Sequence, residues 1–316
     1  MKKLMTLFML TVVAPALIFA QDEQPAETKN ENANKSLLGY WIAQGDKPVR
    51  NPYESGYLID NMTNVIQTKG TLEFVIHHRF GTMDNGMSDL FGIYGTANTR
   101  LGLNYSITDW LQLGFGTTKT YKIQDFGLKA NLLQQSRQEK VPVSVTYYGN
   151  WSIDARDEES FGTDYAFGNR CAFFNELLVT RKFADWFTLS VGGSFTHFNQ
   201  VDSLYDHDRV ALHFLGRLKV SPQTSVIFNY DLPLNINSMS EWADHHYDSA
   251  ERERNDFQSN PNLGFGVEIA TSTHAFQIFA GTSTLLVPQY NTMKNFNKSS
   301  KGDFFIGFNI TRLWSF

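Results

Sequence analysis

The sequence predicts an all-β protein, an antiparallel transmembrane β-barrel of about 12 strands with short periplasmic turns and long outer loops. Three observations carry this. Hydrophobicity alternates with a period of two from Thr71 almost to the C-terminus, connections alternate between short and long, and aromatic residues gather at the ends of the alternating runs.

The first alternating run is "TLEFVIHHRF", Thr71 to Phe80. Leu72, Phe74, Ile76 and Phe80 share one face with His78, and Glu73, Val75, His77 and Arg79 share the other. "TRLGLNYSI" and "LQLGFGT" follow, then "DFGLKANL" and "VPVSVTYYGNW", which we read as a strand from Val141. "FTLSVGGSF", "RVALHFLGRLKV" and "NLGFGVEI" continue the pattern, and less regular runs at 172–183, 225–234, 275–287 and 304–316 complete the set. The run from Phe173 to Phe183 is ambiguous, because Asn175 and Arg181 share a face with Leu177 and Val179.

One set of connections is short ("TDW", "KFADW", "VSPQTS", "TSTH", with "QQSRQEK" slightly longer). The other set, near 81–96, 152–170, 199–208, 235–260 and 288–303, is long and polar, with one brief member near 118–124. A soluble sandwich has no reason to sort loop lengths by rim, whereas an outer-membrane barrel does. Trp110, Phe183, Trp186, Trp314 and Phe316 fall at the short-turn ends, and Phe80, Trp151 and Phe198 near the long-loop ends. Amphipathic rings favour the membrane–water interface.

Bulk properties narrow the alternatives. A mean hydropathy of −0.30 excludes a helical membrane protein. The formal charge of −5 argues against nucleic acid as a partner. The single Cys171 excludes an internal disulfide and a multi-thiolate metal site. Residues 1–20 read as a signal peptide: Lys2 and Lys3, an apolar run from Leu4 to Phe19, and a cleavage position after Ala20. Residues 21–68 form a polar N-terminal segment, disordered in its first part, with apolar patches at 36–68 that pack as a plug or lie in the periplasm. Residues 69–316 form the barrel. The expected location is the outer membrane of a Gram-negative bacterium.

The phrases "KGTLEFVIHHRFGT", "ANTRLGLNYSITDWLQLGFG", "DFGLKANLLQQS" and "RKFADWFTLSVGGSF" resemble an uncharacterised β-barrel family of Bacteroidota, classed as a domain of unknown function. The resemblance spans about residues 57–316. It implies an outer-membrane barrel and supplies no activity, substrate or catalytic residue. The last strand, "FFIGFNITRLWSF", resembles the terminal strand that outer-membrane proteins present to their assembly machinery, with Trp314 and Phe316 as the signal. Arg312 interrupts its apolar face close to the rim, where a long side chain snorkels.

If the apolar face meets lipid, the charges turn inward, because a Lys or Arg on the lipid face at mid-membrane costs roughly 2–4 kcal/mol. The expected lumen lining is Glu73, His77, Arg79, Arg100, Lys129, Glu176, His213, Arg217, Asp231 and Glu268. Its mixed signs suit internal ion pairs better than selection of one ion type. Two readings stay open: a narrow or plugged channel for small polar or amphipathic solutes, and a non-conducting barrel that binds a partner through its N-terminal segment or outer loops. An outer-membrane hydrolase is a third. His78, His197 and His213 are available to it, but spacing matches none to a serine. The reading is therefore of a non-enzyme with no cofactor. Asp244, His245, His246 and Asp248 in the longest loop could ligate a divalent cation, yet a solvated loop explains them as well. The expected partners are outer-membrane lipid, the barrel-assembly machinery, and a small solute or periplasmic protein.

Overall fold

The computed structural model describes residues 46–201, 205–234 and 259–316. The leader, residues 21–45 and the loop segment carrying Asp244, His245, His246 and Asp248 lie outside the described residues. Twelve antiparallel strands close a barrel in chain order. They are β3 (Thr71–Thr82), β4 (Asn98–Ser106), β5 (Leu111–Thr118), β6 (Gln124–Leu133), β7 (Ser144–Ile153), β8 (Cys171–Ala184), β9 (Phe187–Phe198), β10 (Asp208–Lys219), β11 (Thr224–Leu234), β12 (Asn262–Ala270), β13 (His274–Gly281) and β14 (Phe305–Ser315). Two short strands before them, β1 (Tyr57–Leu58) and β2 (Asn61–Met62), pair only with each other. Closure comes from β14 pairing with β3, from Ser315↔Thr71 up to Phe305↔Thr82. An even strand number brings both barrel ends to the short-turn rim.

Each strand forms because apolar and polar residues alternate in register with the pleat. Burial in β12 and β4 follows that period almost residue by residue. The sense is inverted relative to a soluble protein. Glu73 and Arg79 are 0% exposed, whereas Phe265 is 60% and Ile278 63% exposed. The barrel strands run from 8 to 14 residues. A tilted strand needs about 9–11 to cross a bilayer, so most of them are long enough.

Two strand limits differ from the sequence expectation. β7 begins at Ser144 rather than Val141, because 134–143 forms a turn in which the Ser136 N–H bonds the Val141 carbonyl. β13 ends at Gly281 rather than near 287. Thr282 and Ser283 are already buried, and Pro288 starts a helix, α1 (Pro288–Lys294), whose residues Gln289–Met293 are buried. Proline at the first helical turn is well placed, since its missing N–H would have had no partner there. The ambiguous run is resolved as β8: Glu176, Leu178 and Thr180 point inward, and Asn175 and Arg181 point outward beside Leu177 and Val179.

Glycine is required where the backbone crowds. Gly92 in the first outer loop has φ +85°, and a Cβ there would stand 2.1 Å from the Gly81 carbonyl oxygen.

Candidate functional site

With strands about 4.8 Å apart and tilted about 40°, twelve close a ring about 24 Å across at the backbone. Facing layers of side chains fill about 10 Å of that width, so roughly 14 Å needs another occupant. In this barrel two inserted segments supply it.

The first is the chain before β3. It enters at the short-turn rim, where Pro48 bridges Ser136 and the Val49 N–H bonds the Gln135 carbonyl. It climbs inside past Tyr53, whose hydroxyl is 2.7 Å from Ser190 Oγ, and reverses at the β1–β2 hairpin. It then returns to Thr68 at the same rim, where the Thr71 N–H bonds the Thr68 carbonyl. The reversal needs a close approach at Gly56. Its N–H donates to Glu73 Oε1 at 2.9 Å, and an added Cβ would lie 2.5 Å from Glu73 Oε2. The second insert is α1, which descends from the last outer loop. Val287, Tyr290 and Met293 pack against Ile123, Ala172 and Phe198, and Gln289 donates to the Asn150 side chain at 2.8 Å.

The inward-facing ionisable residues bond mostly to these inserts. Arg79 meets Asp60 at 2.6 Å, donates to the Ile59 carbonyl at 3.2 Å and lies over the Phe279 ring at 4.4 Å. Lys129 donates to the Val65 carbonyl at 2.6 Å and reaches the Gly56 carbonyl at 3.5 Å. Arg217 pairs with Glu54, donates to the Pro52 carbonyl at 3.3 Å and stands 3.6 Å from Glu268. Glu268 accepts from Gln277 at 2.8 Å, and Gln277 in turn accepts from the Ile59 N–H at 3.1 Å. The His77 ring stands edge-on to Tyr57 with centroids 4.6 Å apart. Arg100 is different. It grips Asp125 of the wall with two hydrogen bonds of 2.9 and 2.6 Å, and its further contact is the Tyr57 hydroxyl at 3.4 Å.

Asp231 is where the two inserts meet. Asn61 of the hairpin donates to it at 2.6 Å and Asn291 of α1 at 3.4 Å, and wall residues Asn229 and Asn262 donate at 3.1 and 2.9 Å. His213 Nδ1 is 2.8 Å from the same carboxylate, and His213 Nε2 is 2.7 Å from Ser194 Oγ. Ser194, His213 and Asp231 therefore stand in line on three adjacent strands. Glu176 faces Ser194 across the β8–β9 ladder, and its Oε1 has no hydrogen-bond partner among the described residues. The space beside Glu176, Arg100 and Tyr148 is about 10 Å³, room for one water at most. A larger cavity, about 470 Å³, opens at the short-turn mouth between the two limbs of the N-terminal segment.

The serine partner of His213 is Ser194, which spacing alone did not match to it. The His213–Asp231 pair had a signal, because the turn around Pro222 sets these two directly opposite. Ser194 had none, since a long loop joins β9 to β10 and leaves their register open. The individual contacts of Glu54, Asp60 and Asn61 were equally unreadable. At the chain end, Trp314 packs on Phe74 with centroids 6.2 Å apart, and Phe316 lies past the last strand with its N–H on the Gly70 carbonyl.

The family model described as "Membrane bound beta barrel domain (DUF5777)" matches residues 53–314. The chain belongs to this family. It is a membrane-bound barrel of the outer membrane. Among solved structures, the COG4313 outer membrane channel of Pseudomonas putida F1 is similar at a TM-score of 0.50 and 13% identity, covering 81% of this chain and 100% of that one. Omp33 of Acinetobacter baumannii follows at 0.37 and 9%, covering 78% and 99%. LpxR of Salmonella typhimurium is at 0.36 and 12%, covering 78% and 100%. These likenesses are to the fold. None of the curated proteins matches the chain.

Proposed function

We propose that this chain is a plugged channel of the outer membrane for small polar or amphipathic solutes, closed by residues 46–68 and narrowed from the outer side by α1. One observation carries the reading: Arg79, Lys129, Arg217 and Glu73 of the wall bond to the inserted segment rather than chiefly to one another. A barrel built only to be sealed is better served by wall-to-wall pairs such as Arg100–Asp125. A lining whose partners sit on one removable stretch of chain becomes a hydrated polar passage when that stretch leaves. Gln112, Ser106, Thr118 and Thr196 fit this, since each has a buried polar side-chain atom with no partner among the described residues, the kind of atom water satisfies.

Liposome swelling tests the reading. Vesicles containing the full chain should swell slowly in polar solutes of graded size, and vesicles containing the chain without residues 46–68 should swell fast up to a size limit. A barrel that stays folded yet impermeant after that deletion would leave the non-conducting, partner-binding role.

The Ser194–His213–Asp231 alignment favours a second reading, an acyl hydrolase in the lumen. The surroundings favour it less. Ser194 is held in the ladder between Glu176 of β8 and Ala211 of β10, which leaves no pair of free backbone N–H groups for an oxyanion. A fluorophosphonate probe separates the two readings. If Ser194 is activated, its Oγ displaces fluoride from phosphorus, His213 takes the proton, and the adduct disappears in His213→Ala. The channel reading expects no adduct at Ser194, with or without residues 46–68.

A further inference from the structure

The lipid-facing side of the barrel carries a cation that the channel reading does not use. Arg312 of β14 and His274 of β13 are direct cross-strand partners at the short-turn end, and Phe74 of β3 flanks Arg312 on its other side. The Arg312 guanidinium donates to His274 Nε2 at 2.5 Å and lies 5.4 Å from the Trp314 ring. The His274 ring is stacked on Phe276. The group is thus an exposed guanidinium hemmed by an imidazole and aromatic rings.

No Asp or Glu among the described residues pairs with Arg312. The contrast is Arg181, the outward arginine of β8, which has Glu139 at 3.5 Å and donates to the Pro142 carbonyl at 3.1 Å. A guanidinium carries five N–H donors, and His274 takes only one of them. The position matters as much. His274 opens β13 directly after a short turn, and its cross-strand partner Arg312 lies three residues before the end of β14, so both stand at the level of the headgroups rather than of the acyl chains. Trp314 beside them suits that interface.

We propose that Arg312, His274 and Trp314 form a binding site for the phosphate of an anionic phospholipid in the periplasmic leaflet. Arg312 supplies the charge and a forked pair of donors that matches phosphate oxygens. His274 holds the guanidinium from one side. Trp314 and Phe276 bound the site where the glycerol backbone passes into the acyl region. The outer-face apolar residues of β12–β14, Phe265, Val267, Ile278 and Ile310, then receive the acyl chains.

The test uses the full chain in an uncharged detergent, titrated with phosphatidylglycerol and followed by native mass spectrometry. One lipid should bind ahead of the rest. Arg312→Gln should weaken that step about fivefold, the loss expected for one basic residue at a membrane surface. Arg181→Gln should leave it unchanged, and diacylglycerol, which lacks the phosphate, should show no preferred step. If Arg312→Gln fails to show the heat-modifiable migration of a folded barrel, His274→Ala reads the same step and should also weaken it. Equal binding by the parent chain and the folded variant overturns the site, as does an equal loss in Arg181→Gln. Displacement of the lipid by millimolar inorganic phosphate would assign the site to the free anion and overturn the lipid assignment.

Discussion

Deleting residues 46–68 is expected to convert a barrel with no steady current in planar bilayers into one that conducts continuously. The segment occupies the lumen along its limbs, and its removal exposes Glu73, Arg79, Lys129 and Arg217, all at most 3% exposed in the closed barrel, to water. Hydration replaces the lost bonds, so the strand ladders stay closed and the variant keeps the heat-modifiable migration of a folded barrel. α1 still narrows the outer side, because Gln289 and Asn291 bond to the wall independently of the plug. Replacing residues 288–294 by a Gly-Ser linker in the same chain should therefore raise the single-channel conductance further. Within the opened barrel, Arg79→Glu should shift selectivity toward cations, because a charge on the wall of a confined pore acts over a short, poorly screened distance. A silent bilayer from a folded, plug-free barrel would remove the channel from consideration.

Arg79→Met in the full chain should lower barrel stability by roughly 3–5 kcal/mol, the usual cost of stranding the partner in a buried ion pair. Among the described residues, Asp60 keeps only the Asn262 side chain, at 2.9 Å, once the guanidinium is gone. Arg79 also satisfies the Ile59 carbonyl and Asn309 Oδ1 and covers Phe279, so more than one contact is lost. Urea unfolding in micelles, followed by the migration shift, measures the effect. Arg79→Met combined with Asp60→Leu should recover much of it, since an apolar pair of similar volume leaves no buried charge. If the double variant is no more stable than the single one, the pair is not what holds the hairpin. Arg181→Met at the rim is the control. Its partner Glu139 is largely exposed, and an exposed pair contributes about 0–1 kcal/mol.

Much of the architecture was legible in the residues. A period of two with the apolar face outward is a local property, written into each strand by side-chain chemistry, and it needs no knowledge of neighbours. Loop length is equally local, and together they set twelve antiparallel strands closing on Phe305–Ser315 and Thr71–Thr82. The departures came where a segment's partners are distant. Thr282 to Val287 continues the look of a strand, yet it leaves the ladder because a helix starting at Pro288 finds an apolar pocket inside the barrel. Cross-strand register carried part of the site: a short turn set His213 against Asp231, while the long loop before β10 hid Ser194.

By its sequence alone, this chain determined that charge faces one side of each strand and apolar surface the other. Charge is costly in lipid, so that single preference orders the whole wall. Only the tertiary structure decided what the inward charges hold. Asp60 meets Arg79, Glu54 meets Arg217, and Asn61 and Asn291 meet on Asp231, from segments far apart in the chain. Such pairs depend on how a non-periodic stretch threads a cavity about 24 Å wide at the backbone, and no local pattern records that path. Arg312 shows the same division. Its place on the apolar face is plain in the alternation, whereas its isolation from every described carboxylate emerges only when β13 and β3 close around it.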